Sequence, residues 1–228
     1  MAGRVVVITG AFGALGRAVA QAAAEQGAQL ALIDAAPNAP EGLPQGSLAL
    51  AGVDLADAAA AGRAVAQVVE RFGRLDALVN IAGTFRWETL EGGSLAAWDL
   101  LYKVNVATAV NMSKAALPHL LASGAGRIVN VGANGGLKAA AGMGAYAASK
   151  SGVHRLTEAL AEETKGKGVT VNAVLPSIID TPANRADMPD ADFGRWVKPS
   201  ELAAVILFLA SEQAGAVTGA LIPVMGGV

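Results

Sequence analysis

The sequence predicts an α/β fold: a doubly wound, mainly parallel sheet of seven strands, with helices on both faces and one domain spanning residues 1–228. Three observations predict it. Apolar β-branched runs alternate with alanine-rich segments along the whole chain, which is the pattern of strand–helix–strand crossovers. Most of those runs lack period-two alternation, as strands covered on both faces do. No repeat, low-complexity block or linker interrupts the alternation.

Taken in order, "RVVVIT" (4–9) is the first strand, and an alanine-rich helix over 14–26 follows a glycine turn. "QLALID" (29–34) and "LALAGVD" (48–54) are the next strands, joined by the proline-rich stretch 35–47, which suits a surface connection. A second alanine-rich helix over 56–72 leads into the strand "ALVNIA" (77–82). The helix expected over 94–122 precedes "RIVNVG" (127–132), and another over 143–165 precedes "TVNAVLP" (170–176). Residues 176–199 lack clear periodicity and read as a long binding loop. A helix over 199–211 and the strand "ALIPV" (220–224) complete the series.

Composition excludes several classes of function. A chain of 228 residues that is 53% hydrophobic can bury a full core. A formal net charge of −2 offers no electrostatic case for nucleic acid or an anionic membrane surface. Cysteine is absent, which removes disulfide and thiolate chemistry, and the two histidines, His119 and His154, lie at unrelated positions, so no metal is expected. "RVVVITGAFGALG" is too glycine-broken for a signal-peptide core, and "LAAVILFLA" is too short to span a bilayer. A soluble, cytoplasmic protein acting on a small molecule is expected.

The turn "TGAFGALG" places glycines at 10, 13 and 16 between a strand and a helix start. Glycine there removes the Cβ that would keep a pyrophosphate from backbone N–H groups and a helix N-terminus. A purely structural turn is the alternative. Asp34 closes the second strand about twenty residues beyond the turn, where a carboxylate accepts hydrogen bonds from ribose hydroxyls and repels a 2′-phosphate. A solvated strand-end aspartate is the other reading. "DAAPNAPEG" contains no lysine or arginine, so NADH is favoured over NADPH. Asp54 either bonds adenine together with the Leu55 backbone or caps the next helix.

Together with "DL" at 54–55, "NIAG" at 80–83, Asn105 in "KVNV", "YAASK", and "P…DTP" at 176–182, the chain resembles the short-chain dehydrogenase/reductase family from end to end. Ala14 departs from the usual TGxxxGxG pattern, with Gly13 supplying a shifted glycine. The resemblance implies a Rossmann-type fold and NAD(H) held by Thr9, Gly10, Gly13, Leu15, Gly16, Asp34, Asp54, Leu55, Asn80, Ala82, Gly83, Tyr146, Lys150, Pro176, Ile179 and Thr181. Asn80 has a structural role at a strand end as its alternative, and Thr181 a turn cap before Pro182. A narrower resemblance, carried by "LKAAAGMGAYAASKSGVHRLTEAL" and "MPDADFGRW", is to the quinonoid dihydropteridine reductase branch. The final "TGALIPVMGG" instead resembles ordinary bacterial members.

Tyr146 and Lys150 lie one helical turn apart, so their side chains share a face. A tyrosine with a pKa near ~10 is a poor acid-base catalyst until an ammonium stabilises its phenolate. The resemblance implies that Tyr146 moves the proton, Lys150 supports it and bonds the nicotinamide ribose, and Asn105 holds a water behind the lysine. A core amide pinning a helix bend is compatible with that role for Asn105.

Most family members carry a serine thirteen residues before the tyrosine. Ala133 stands there, between Gly132 and Asn134. Either Asn134 donates instead, or the chain is a non-catalytic NADH-binding sensor or scaffold, or the substrate does not require the serine. The dihydropteridine reductase branch also lacks it, which favours the third reading; an alcohol/ketone dehydrogenase is the alternative. Trp87 and Trp196 are the remaining substrate candidates, with packing as the competing role for each. The resemblance further implies a homodimer or homotetramer through helices about 94–122 and 143–165.

Overall fold

Every position of Val5–Thr9 (β1) and Val169–Pro176 (β6) is buried, as continuous apolar runs in a sheet interior should be. In this computed structural model, which describes all 228 residues, those runs are two of seven strands. The others are β2 (Gln29–Ile33), β3 (Leu48–Leu50), β4 (Ala77–Asn80), β5 (Gly126–Val131) and β7 (Leu221–Val224). Their order is β3-β2-β1-β4-β5-β6-β7, with every neighbouring pair parallel. "Mainly parallel" is therefore sharpened to wholly parallel, because each connection carries a helix or long crossover and none is a hairpin.

Helices cover both faces. On one side α1 (Ala14–Glu25) and α7 (Pro199–Ala210) bury Leu15, Val19, Leu202 and Ile206 against Ile8, Leu32 and Val129. On the other, α2 (Ala58–Phe72), α4 (Thr108–Ala122) and α5 (Gly144–Glu163) set Val65, Met112, Leu120 and Leu160 against Val7, Leu78 and Ile128. Each such side chain taken out of water contributes about 1.5–3 kcal/mol. Two separate apolar layers explain why the strands show no alternation.

Two expectations change. The helix expected over 94–122 is α3 (Leu95–Leu101), a π-helical segment (Tyr102–Ala107) and α4. The wide turn falls where Asn105 is buried and bonds outside the helix, and such insertions are frequent at functional sites. Residues 176–199 contain a short helix, α6 (Pro182–Asp187), a 3-10 turn (Phe193–Arg195) and a bridge between Ile179 and Val197. That loop is braced internally: Arg185 makes two hydrogen bonds to Asp180, at 2.6 and 2.8 Å, and its guanidinium lies 4.7 Å from the Phe193 ring centroid.

The order in which successive strands are added reverses between β1 and β4, which opens a crevice at their carboxyl ends. Thr9, Asp34, Asn80, Val131 and Pro176 all end or follow strands on that side.

Candidate active site

The glycine turn is packed on its inner side and open on its outer side. Gly10 takes φ +61°, and a Cβ there would stand 2.8 Å from the Ala82 nitrogen. At Gly16 a Cβ would meet the Ala11 Cα at 2.6 Å, so the helix can close on the turn only with glycine. A Cβ at Gly13 would touch nothing closer than 3.6 Å. Helix α1 starts at Ala14 without any side-chain cap, which leaves first-turn N–H groups for an external acceptor. Leu15 and Gly16 are buried at that start. Thr9 accepts from the N–H groups of Ile81 and Ala82, both at 3.1 Å, and so stitches β1 to β4 at the crevice.

Asp34 does more than mark a strand end. Its two oxygens accept from the backbone N–H groups of Phe12 and Ala36, each at 2.9 Å. The carboxylate thus ties the glycine turn to the end of β2, and each oxygen keeps a second lone pair for a ribose hydroxyl. Asp54 is exposed: it accepts from the Ala56 N–H and pairs with Lys103 at 3.5 Å. It does not cap α2, because Asp57 does, accepting from the Ala59 N–H. Leu55 is buried, and Asn111 holds the turn by donating to the Leu55 and Ala56 carbonyls. An uncapped helix start, an open glycine edge and a carboxylate one strand away fit a nicotinamide adenine dinucleotide, with adenosine toward Asp34.

At the other half of the crevice, Lys150 is buried, and its ammonium donates to the Val131 carbonyl at 2.9 Å. The Nζ lies 6.0 Å from the Tyr146 ring centroid. Burial lowers the Lys150 pKa to about 8 and raises that of Tyr146 to about 12. In the chain by itself, loss of hydration is what moves both groups, and it favours the neutral phenol over the phenolate that the ammonium is expected to stabilise. Phe85 packs edge-on against Tyr146, with ring centroids 4.8 Å apart.

Asn105 converges on the same place. Its Oδ1 accepts from the Thr84 N–H at 2.7 Å, and its amide donates to the Thr84 carbonyl and to Ser149 Oγ. A Cβ added at Gly83 would meet Asn105 Oδ1 at 2.9 Å and Lys150 Nζ at 3.4 Å, so Gly83 lets the three segments meet. Asn80 is buried in the network Asn80–Asn130–Thr157 and also donates to Ser113, an interior position that supports its structural reading.

The turn that carries Ala133 follows directly on β5. Ala133 is buried in extended backbone, and residues Asn134–Gly136 form a 3-10 turn. A Cβ at Gly135 would stand 3.9 Å from Tyr146 Cε1, so this turn lies beside the phenol ring. Asn134 is partly buried, and its amide has no partner in the chain. Trp87 is exposed and lies over Gly142, with Nε1 donating to the Ala141 carbonyl at 3.0 Å. Trp196 is buried against Phe193 at 4.8 Å and anchors the loop instead of offering a face to solvent, which corrects the substrate role expected of it. The physical reason is its place beside Val197, which the bridge to Ile179 draws into the core. Pro176 ends β6 and is buried, and the Ile179 carbonyl accepts from the Asn184 amide at 2.7 Å. Thr181 caps α6 by accepting from the Asn184 N–H at 3.2 Å.

Asn111, Ser149, Phe85 and the placement of His154 are not legible in sequence. Each touches the site through a partner 21 or more residues away, or through a ring packing that no local pattern encodes.

The chain belongs to the short-chain dehydrogenase/reductase family: the family model for short chain dehydrogenase matches residues 4–192. It is 34% identical to the 3-oxoacyl-[acyl-carrier-protein] reductase FabG of Thermotoga maritima, over 99% of this chain and 98% of that protein. It is 37% identical to a meso-2,3-butanediol dehydrogenase of Serratia marcescens, over 98% of this chain and 94% of that one. The crystal structure of a levodione reductase superposes with a TM-score of 0.89 at 29% identity, covering 100% of this chain and 98% of the other. The protein is thus an NAD(P)-dependent oxidoreductase of the carbonyl/alcohol type, with the Rossmann-like fold of that family.

Proposed function

We propose that this oxidoreductase prefers NADH and reduces a conjugated imine or carbonyl, quinonoid dihydropterins being within its substrate class. The observation that carries the proposal is Ala133: a buried methyl group at the entry to the turn whose Gly135 lies beside Tyr146, with no hydroxyl side chain between Asn130 and Tyr146. When bound, the nicotinamide supplies two electrons and a proton as one hydride. Tyr146 supplies the other proton from its phenol, which burial keeps fully protonated at neutral pH. Lys150 meets the phenolate that remains with an ammonium still charged below about pH 8. A C=N carbon gains hydrogen while its nitrogen takes the tyrosine proton, so one acid balances the step. Buried Asn105 fixes Thr84, and with it the loop that carries Phe85 onto Tyr146.

Preference for NADH rests on Asp34 and on the absence of lysine or arginine from residues 35–42. Glycines 10, 13 and 16, Asp54, Leu55, Ala82, Gly83, Ile179 and Thr181 make up the rest of the proposed cofactor contact. Exposed Leu95, Trp98, Tyr102 and Val110 support assembly of a homodimer or homotetramer through the α3–α4 and α5 faces. A second reading, an alcohol/ketone dehydrogenase, is favoured by the unpartnered Asn134 amide in the turn and by the similar proteins, a 3-oxoacyl-[acyl-carrier-protein] reductase and a meso-2,3-butanediol dehydrogenase. Oxidation of NADH and NADPH against quinonoid dihydropterin, quinones, aldehydes and ketones separates the readings. Dihydropterin turnover with NADH supports the first. Turnover confined to ketones supports the second, and no turnover on any of them would favour a sensor or scaffold.

A further inference from the structure

We infer that His154, which lies outside the acid-base pair, is a positioning residue that holds the Ala133–Gly136 turn against the substrate and sets the Asn134 amide in place. The inference rests on the reading of Tyr146 as proton donor and adds a residue that reading does not use.

His154 lies one helical turn past Lys150 on α5 and is wholly buried. Its Nε2 accepts the Ala133 N–H at 3.4 Å, which assigns the neutral tautomer with hydrogen on Nδ1. That Nδ1 has no partner. Filling a core position with an imidazole that leaves one polar atom unpaired is unfavourable, so packing by itself would select an apolar side chain. The backbone supplies the reason for a histidine. The Gly132 N–H still bonds across the sheet to the Val174 carbonyl, but the next donor, Ala133, has left the ladder. His154 takes over at the point where β5 turns toward the substrate side.

The flanking glycines fit the ring. A Cβ at Gly132 would stand 2.6 Å from His154 Nε2, and one at Gly136 would stand 2.6 Å from Cε1. Neighbouring residues of α5 grip the same segment: Lys150 through the Val131 carbonyl and Ser151 through the Gly136 carbonyl. The segment is thus clamped at three points along its back. On the side away from the clamp Gly135 lies against Tyr146, and Asn134 and Gly135 are only partly buried. Burial, with Arg155 and Lys150 adding repulsion, lowers the His154 pKa to about 4, so the ring remains an acceptor at neutral pH.

A mutant cycle between His154 and Asn134 tests the inference, read as NADH-dependent reduction of quinonoid dihydropterin and of diacetyl and as hydrogen exchange at the Ala133 amide. His154→Leu should lower kcat about tenfold with NADH affinity within about twofold of the parent, and Ala133 exchange should quicken about tenfold. His154→Gln, which keeps an acceptor, should restore most of both. In an Asn134→Ala background, His154→Leu should cause no further loss of kcat. Independent, additive losses would overturn the inference, as would unchanged exchange at Ala133. If His154→Leu does not fold, His154→Gln carries the same cycle, and an unaltered Gln variant without the Ala133 hold also overturns it. Tyr146→Phe serves as the control: full turnover there defeats the proposed function, whereas its loss together with additive His154 and Asn134 effects defeats only the positioning role.

Discussion

Ala133→Ser restores the hydroxyl that most of this family places beside the tyrosine. Ala133 is 5% exposed, lies in extended backbone at φ −163° and ψ 148°, and its N–H is held by His154. A serine therefore fits without backbone strain, and its oxygen extends from the residue that leads into the turn whose Gly135 lies beside Tyr146. Donation to a developing oxyanion is worth about 3 kcal/mol, on the order of a hundredfold in rate. A part of that gain is lost if the hydroxyl instead competes for His154 Nε2, so a rise of about 10–100-fold in kcat/KM is expected for a ketone such as diacetyl. For a quinonoid dihydropterin, where the proton goes to nitrogen, the change should stay within about threefold. The assay is NADH oxidation with each substrate on parent and variant, compared as a ratio of kcat/KM values. An unchanged ratio between the two substrates would refute the account of why the serine is missing.

The other predictions concern the acid-base pair and the cofactor crevice. Tyr146→Phe should reduce turnover about 10²–10⁴-fold while NADH binding persists; fluorescence titration with NADH separates the two. Lys150 has its folded pKa depressed to about 8 against an ordinary 10.5, so the unfolded chain binds more protons in that interval and stability rises with pH there. Urea unfolding should show an increase on the order of 2–3 kcal/mol across that interval that Lys150→Met lacks; the Tyr146 shift, to about 12, begins to act only above the ordinary phenol value. Catalysis has the opposite sign, and kcat for a proton-consuming reduction should fall as pH rises through the Lys150 pKa of the working complex. Gly16→Ala places a Cβ 2.6 Å from the Ala11 Cα and should weaken NADH binding at least about tenfold with a loss of about 1–3 kcal/mol in stability, both measurable by calorimetry. Asp34→Ala removes the acceptor of the Phe12 and Ala36 N–H groups and should narrow the proposed preference for NADH over NADPH by about tenfold.

Local chemistry was readable wherever a residue acts through its own segment. The alternation of apolar runs and alanine-rich segments determined the seven strands, their order along the chain and the helices on both faces, because a buried parallel strand needs apolar residues at consecutive positions. Glycines at 10, 13 and 16, Asp34, and the Tyr146–Lys150 spacing were legible for the same reason: one turn, one strand end and one helical turn suffice to place them. Tertiary structure decided what depends on approach between distant segments. The π-helical break at Tyr102–Ala107 appears where Asn105 reaches Thr84 and Ser149, two partners from other parts of the chain. Trp196, which resembles a lid residue in sequence, is drawn into the core by the Ile179–Val197 bridge. His154 occupies an ordinary helix position until the end of β5 comes to rest on it and leaves the Ala133 N–H without a strand partner. Periodicity records which face of an element is buried; only the packed fold determines which unpaired backbone group waits on the other side.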